Sequence, residues 1–216
     1  MDYETARQRM IGHQLRAWEV IDDRVVAVMA ALPREHFVPP DWRELAYADT
    51  EIPLGHGGTL APPKIQGRAL QALLPQAGER VLEIGSGSGY LSACLAALAE
   101  HVTAVEANPE LADTARRNLA SLGIDNVTVL EGDPLEMELP GDFDVVCING
   151  SLPARSERFE RLLAVGGRLF VVTGQPPIMA ASLVTRKSES EWHVTGVFET
   201  CLPPLNPAPR PAEFVF

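Results

Sequence analysis

Residues 80–90 read RVLEIGSGSGY, and this segment restricts the fold more than any other in the chain. Val81, Leu82 and Ile84 make a short apolar run of the kind that forms a strand buried on both faces. Glycines at 85, 87 and 89 follow, where a backbone without Cβ atoms turns sharply and lets a ligand approach. Helical spacing then resumes from Tyr90 to Ala99. A strand, a glycine turn and a helix in immediate succession form the nucleotide-binding unit of parallel α/β sheets. A dinucleotide fingerprint needs glycine or alanine at its first, third and sixth positions, but the sixth position here is Tyr90. The turn therefore departs from the dinucleotide fingerprint.

The flanking sequence repeats the strand–helix alternation. Strands are expected at Arg80–Ile84, His101–Glu106, Asn126–Glu131, Phe143–Ile148 and Arg168–Thr173, the last entered through the Gly166-Gly167 turn. Helices are expected at Ile65–Leu74 and Glu157–Leu163, and another starts with Asn108 as N-cap and Pro109 at the first helical position. Near-continuous apolar strands separated by helices predict a doubly wound, mostly parallel α/β sheet. Upstream, Thr5–Ala31 has helical periodicity, interrupted near Asp22-Asp23, where an aspartate can cap a second helix. The stretch 52–63, IPLGHGGTLAPP, carries three glycines and three prolines and is expected to be a functional loop rather than a helix or central strand. From Trp192 onward the pattern suggests antiparallel strands with a proline-rich interruption at 203–211. These readings divide a single domain, 1–216, into a helical cap (1–50), a loop (51–64) and an α/β core (65–216).

Composition narrows the function. The formal net charge is −11, which argues against a nucleic-acid partner, because such proteins present basic stripes to phosphates. Arg116-Arg117 reads as the solvated face of a helix. No apolar run is long enough to span a bilayer, and the acidic, polar start does not resemble a secretory signal. The three cysteines, Cys94, Cys147 and Cys201, lack ligand spacing and suit a reduced, cytoplasmic protein with no metal. A monomer is expected.

The acid-x-Gly-x-Gly-x-Gly pattern from Glu83 to Gly89 resembles motif I of class I S-adenosylmethionine-dependent methyltransferases. Two acids follow at the ends of later expected strands. Glu106 stands where a carboxylate can accept from both ribose hydroxyls, and Asp133 follows Gly132 where this class places an acid near the adenine. The N-terminal half sharpens the likeness. RQRMIGHQLRAWEVIDDRVVAVMAALPREHFVPP (7–40) and AYADTEIPLGHGGTLAPP (46–63) resemble the protein-L-isoaspartyl O-methyltransferase family, with its QL, RV and PR-x-x-FVP cap and its AY-x-D and GQTIS loop. The likeness runs from about Arg7 through Gly174.

That resemblance implies methyl transfer from S-adenosyl-L-methionine, giving S-adenosyl-L-homocysteine, to isoaspartyl carboxylates of a protein or peptide substrate. It implies that Thr59, Leu60 and Ala61 lie beside the methionine end of the cofactor and that Glu83 faces its amino group. Gly85, Ser86, Gly87 and Gly89 would form the turn, Glu106 would hold the ribose, and Asp133 and Pro134 would flank the adenine. Asn206 matches a tail position near the cofactor. On the acceptor side the candidates are His56, Gly58, Asn149 and Ser151.

Two departures fall on that acceptor side. Ala61 occupies the family's loop serine position and Gly58 its glutamine, so no catalytic residue is assigned. After the fourth strand the chain reads Ile148-Asn-Gly-Ser151 where the family reads Thr-Ala-Ala. A related methyltransferase with another acceptor and a non-catalytic cofactor-binding module therefore stand as alternatives. Tyr90 either lines the cofactor pocket or packs in the core.

Overall fold

The computed structural model describes residues 2–205. The cap begins with α1 (Tyr3–Arg9), which continues into a π-helical segment (Met10–Leu15); α2 (Asp23–Ala31) follows. Asp22 caps α2, its side chain accepting from the Arg24 and Val25 amides, so the expected break lies at the capping aspartate. Two short 3-10 segments (Arg34–Phe37 and Pro40–Leu45) carry the chain to the 52–63 stretch.

That stretch is more ordered than a plain loop. It holds a two-stranded antiparallel hairpin, β1 (Ile52–Gly55) and β2 (Gly58–Leu60), turning at His56-Gly57. Both turn residues have positive φ, +51° and +79°, the conformation that matches the right-handed twist of a two-residue hairpin. The glycines that argued against regular structure are what the tight turn requires.

Next come α3 (Pro63–Leu73), β3 (Arg80–Ile84), α4 (Tyr90–Ala96), β4 (His101–Glu106), α5 (Pro109–Ser121) and β5 (Val127–Glu131). Asn108 caps α5, accepting from Leu111 N at 3.1 Å, with Pro109 at the first helical position as expected. β6 (Phe143–Leu152) runs past Ile148 through Asn149, Gly150 and Ser151. The expected helix at 157–163 is a single turn, α6 (Glu157–Glu160), because Leu163 already opens β7 (Leu163–Gln175). β8 (Ile178–Arg186) was not foreseen, and it pairs antiparallel with both β7 and β9 (Trp192–Thr200).

The sheet order is β5-β4-β3-β6-β7-β8-β9, parallel from β5 to β7 and antiparallel beyond. Alternate strand residues feed two cores. Val81, Ala104, Val145, Cys147 and Phe170 point toward the cap, α3 and α4. Leu82, Ile84, Val105, Val146 and Leu169 pack with Phe159 on the other face. Burial on both faces accounts for the unbroken apolar runs in the sequence. The cap sits on α3 at Gly67, where an added Cβ would lie 3.1–3.3 Å from Val20, Leu15 and Met29.

The chain winds from β3 to β5 in one direction, then crosses to β6 and winds in the other. The order therefore reverses between β3 and β6, the place where open α/β sheets leave a crevice at the carboxyl ends of their strands.

Candidate functional site

A cleft enclosing about 680 Å³, its open mouth included, occupies that crevice. Its floor is Gly85 and Gly87 after β3, Val105 to Ala107 at the end of β4, and Asn149 and Gly150 near the end of β6. Gly57, Gly58, Thr59 and Ala61 of the hairpin form one wall, Leu202 to Leu205 another, and Pro134 closes the far end.

The glycine turn is held by its neighbours. Gly85 has φ +85°, and its amide donates to Val105 O at 2.8 Å. A Cβ there would sit 3.1 Å from Leu205 and 3.2 Å from Asn149 O, so no other residue fits without displacing the cleft wall. Asn149 donates through Nδ2 to Gly85 O at 2.9 Å, tying the end of β6 to the turn.

Glu106 projects into the cleft from the end of β4. One carboxylate oxygen accepts from Gly87 N at 2.8 Å and the other from Asn108 N at 3.0 Å. Each oxygen keeps a lone pair for a further donor. Glu83 is fully buried; its Oε2 accepts from the Ser92 hydroxyl, while its Oε1 has no partner among the described residues. Burial pushes the Glu83 carboxyl up to about 8, and the negative Glu106 pushes the same way against the Ser92 hydrogen bond. An unpartnered buried acceptor beside a second carboxylate suits a cationic donor.

The expected residues divide into groups. Thr59, Ala61, Gly85, Gly87, Glu106, Pro134, Gly58 and Asn149 line the cleft, and His56 stands at its rim, on the exposed hairpin tip beside Glu106. Asp133 is adjacent, but its Oδ1 accepts from Leu135 N at 2.8 Å and shapes the turn after β5. Leu60 and Ser86 are buried outside the lining. Gly89 serves packing: a Cβ there would meet the α5 backbone at Ala115, 3.3 Å away. Tyr90 packs in the core against Phe37 and the Arg34 guanidinium.

Ser151 requires a correction. Its hydroxyl donates to Leu202 O at 2.9 Å, its amide to Pro203 O, and its carbonyl accepts from Leu205 N. It seats the tail that walls the cleft and does not face the cleft itself. Asn206 lies outside the described residues.

Sequence reasoning missed Arg34, whose Nη2 donates to Ala61 O at 2.6 Å from a fully buried position. An arginine within the charged run Arg34-Glu35 gives no sign of burial. It also missed Leu111 and the exact reach of the tail.

Known proteins match this chain over most of its length. The family described as protein-L-isoaspartate(D-aspartate) O-methyltransferase (PCMT) matches residues 6–206. A protein-L-isoaspartate O-methyltransferase 1 of Rhodopseudomonas palustris is 42% identical over 173 residues, 80% of this chain and 71% of that one. The Aeropyrum pernix protein-L-isoaspartate O-methyltransferase is 36% identical over 208 residues, covering 94% and 80% respectively. A protein-L-isoaspartate O-methyltransferase 2 of Marinobacter nauticus is 37% identical over 206 residues, 94% of each chain. In fold, the chain is similar to a Plasmodium falciparum structure described as "a putative protein-L-isoaspartate O-methyltransferase" in complex with S-adenosyl-L-homocysteine. That match has a TM-score of 0.80 at 22% identity and covers 95% of this chain and 99% of the other.

Proposed function

This chain belongs to the protein-L-isoaspartate(D-aspartate) O-methyltransferase family, and from that membership we propose that it methylates the free carboxylate of L-isoaspartyl residues in proteins or peptides, with S-adenosyl-L-methionine as donor. The observation that carries the reading is the anchored Glu106 carboxylate beside the glycine turn in a cleft at the sheet's switch point.

The residues present fit the cofactor. Glu83 Oε1 is a buried acceptor without a donor, which an ammonium group satisfies, and Glu106 has lone pairs for two ribose hydroxyls. Thr59 and Ala61 would bracket the methionine end, with Leu60 and Ser86 supporting them from behind. Gly85 and Gly87 would give the close approach, and Pro134, with Asp133 shaping its turn, would flank the adenine. His56, Gly58 and Asn149 border the space left for the acceptor.

When bound, the cofactor supplies a methyl group made electrophilic by the sulfonium charge. A carboxylate of ordinary pKa, about 4, is already ionised and nucleophilic at neutral pH, so the chain need not contribute a general base. Its work is to align the acceptor oxygen and exclude water. That division of labour explains how Ala61 can stand where the family has serine. The missing hydroxyl takes away one hydrogen bond to the acceptor, not the nucleophile.

The acceptor is a protein or peptide rather than a nucleic acid, a reading supported by the net charge of −11. Among the described residues no helix is long and apolar enough to cross a membrane. Three free cysteines, Cys201 exposed, support a reducing, cytoplasmic setting. We read the protein as a monomer acting as one domain: of its large exposed apolar side chains, Ile21, Val165, Ile178 and Val194 lie on separate segments, and only Trp42 and Leu45 share one, Pro40–Leu45.

The test is methyl-ester formation on an isoaspartyl peptide beside its aspartyl twin. Methylation of the first alone supports the proposal. Cofactor binding with no ester on either peptide overturns it.

A further inference from the structure

The hairpin that walls the cleft is a sheet of its own, with no hydrogen-bonded neighbour in the seven-stranded sheet. A lone two-stranded hairpin is marginally stable in water, so this one must be held from outside. The cleft keeps its shape only if Gly57, Gly58, Thr59 and Ala61 keep their places.

Arg34 bonds to both ends of the segment that carries the hairpin. Its Nε donates to Ala46 O at 2.7 Å, before β1, and its Nη2 to Ala61 O at 2.6 Å, directly after β2. Nη1 donates to Gln66 Oε1 on α3. The guanidinium also lies 4.7 Å from the centre of the Tyr90 ring, the first residue of the helix that follows the glycine turn. The two ends depend on it unequally. At the entry, Gln14 Nε2 also donates to Tyr47 O at 2.8 Å. At the exit, Pro62 and Pro63 have no N–H to offer, and the bond to Ala61 O comes from Arg34.

Charge pairing does not explain an arginine here. It is 0% exposed and its hydrogen-bond partners are all neutral. Among the described residues no aspartate or glutamate ion-pairs with it. Burying a cation in this way costs free energy. What a guanidinium supplies in return is a rigid plane whose donors reach several segments at once, which the single ammonium of lysine does not.

We propose that Arg34 is a positioning residue for methyl transfer: by bracketing residues 46–61 it fixes Thr59 and Ala61 opposite the glycine turn. Arg34 does not line the cleft, and it acts through the Ala61 carbonyl. The kinetic part of the inference rests on the methyltransferase reading; the clamp itself does not.

The test compares Arg34→Lys with Gln66→Leu. The second removes one acceptor of Arg34 but leaves the bonds to both hairpin ends, so both variants should melt below the parent and only the first should loosen the clamp. Hydrogen exchange of the ligand-free proteins reads the clamp directly. In Arg34→Lys the amides of 52–60 should exchange about tenfold faster or more relative to those of β3 and β4, while in Gln66→Leu that ratio should stay within about twofold of the parent. At saturating cofactor, Arg34→Lys should lower kcat/KM for an isoaspartyl peptide about tenfold or more, with kcat itself reduced because a displaced wall misaligns the bound acceptor. Gln66→Leu should stay within about twofold. Equal effects of the two variants, or hairpin exchange unchanged in Arg34→Lys, overturn the proposal. Faster exchange with unchanged kcat/KM also overturns it, since the clamp would then serve stability alone. If Arg34→Lys does not fold, the parent still decides the clamp. Its Arg34 Nε–H, followed by NMR, should exchange in step with the amides of 52–60. Hairpin amides exchanging about tenfold faster than that proton would mean that the hairpin opens while Arg34 stays bonded, which refutes the clamp. The exchange measurements do not use turnover, so failure of the parent to methylate the peptide would count against the function and leave them standing.

Discussion

Glu83→Gln turns the electrostatics of the cleft into a stability measurement. In the cofactor-free protein, burial and the nearby Glu106 raise the Glu83 carboxyl from 4.5 to about 8. The unfolded chain thus releases this proton near 4.5 and the folded chain near 8. Between those values the folded state binds more protons, so stability falls as pH rises through the window. At about 1.4 kcal/mol per pH unit, the loss amounts to about 3 kcal/mol at pH 7 and at most about 5 kcal/mol above pH 8. Glutamine keeps the shape and can still pair with the Ser92 hydroxyl, but it cannot ionise. The variant should match the parent below pH 4.5 and exceed it progressively up to pH 8, with a constant difference beyond. Urea unfolding of both cofactor-free proteins across pH 4–9 measures this directly. A stability difference that does not change with pH would refute the argument, because it would mean that Glu83 ionises as readily when buried as in water. The same group links protons to ligand binding. If an ammonium group pairs with Oε1, binding near pH 6.5 should release close to one proton, read from calorimetric heats in two buffers of different ionisation enthalpy.

Other perturbations probe the same walls. Glu106→Ala should weaken S-adenosyl-L-homocysteine binding by about 1.5–3 kcal/mol in calorimetry, since it also strips acceptors from Gly87 N and Asn108 N; unchanged affinity in a folded variant would remove Glu106 from the site. Gly87→Val should abolish cofactor binding and lower stability by about 1–3 kcal/mol, because φ there is +55° and the new Cβ would lie 3.1 Å from Leu54. Ser151→Ala should cost about 0.5–1.5 kcal/mol in denaturant melts and raise peptide KM more than it weakens cofactor binding, because it frees Leu202 from β6. Ala61→Ser should raise isoaspartyl methylation about tenfold with cofactor affinity unchanged, since Arg34 already holds the Ala61 carbonyl and so the backbone path; equal or lower initial rates would count against the serine-loss account.

The parallel half of the fold was legible because its signals are local. Asp22 and Asn108-Pro109 announce helix starts, and strands buried on both faces show as apolar runs around the glycine turn. β8 escaped because its alternation is faint: Met179, Ala181 and Val184 point inward, but exposed Ile178 and Ala180 beside them blur the period. The hairpin escaped because glycine and proline argue against strands everywhere except in a tight turn. Arg34 and Gln66 escaped for a deeper reason. Their burial depends on acceptors from the segment before the hairpin, the hairpin's exit and α3, and no window of sequence brings those three together.

The two departures from the family pattern have opposite physical consequences. At Ala61 the backbone is clamped through its carbonyl, so exchanging the side chain removes a hydroxyl and leaves the wall in place. At 149–151 all three residues are engaged in holding the wall. Asn149 ties β6 to the turn through Gly85 O, and Ser151 binds Leu202. Gly150 lets Leu205 approach so closely that an added Cβ would lie 3.3 Å from its amide nitrogen and Cα. An alanine at 150 must therefore push the tail outward, and the tail in turn shields Gly85, where Leu205 stands 3.1 Å from a hypothetical Cβ. These three substitutions act as one unit, because each is explained by the path of residues 202–205. Restoring Thr-Ala-Ala at 149–151 without changing the tail should accordingly cost more stability than any one of the three changes alone, and the loss should appear first in peptide KM. If single and triple variants melt alike, the tail does not depend on this seat.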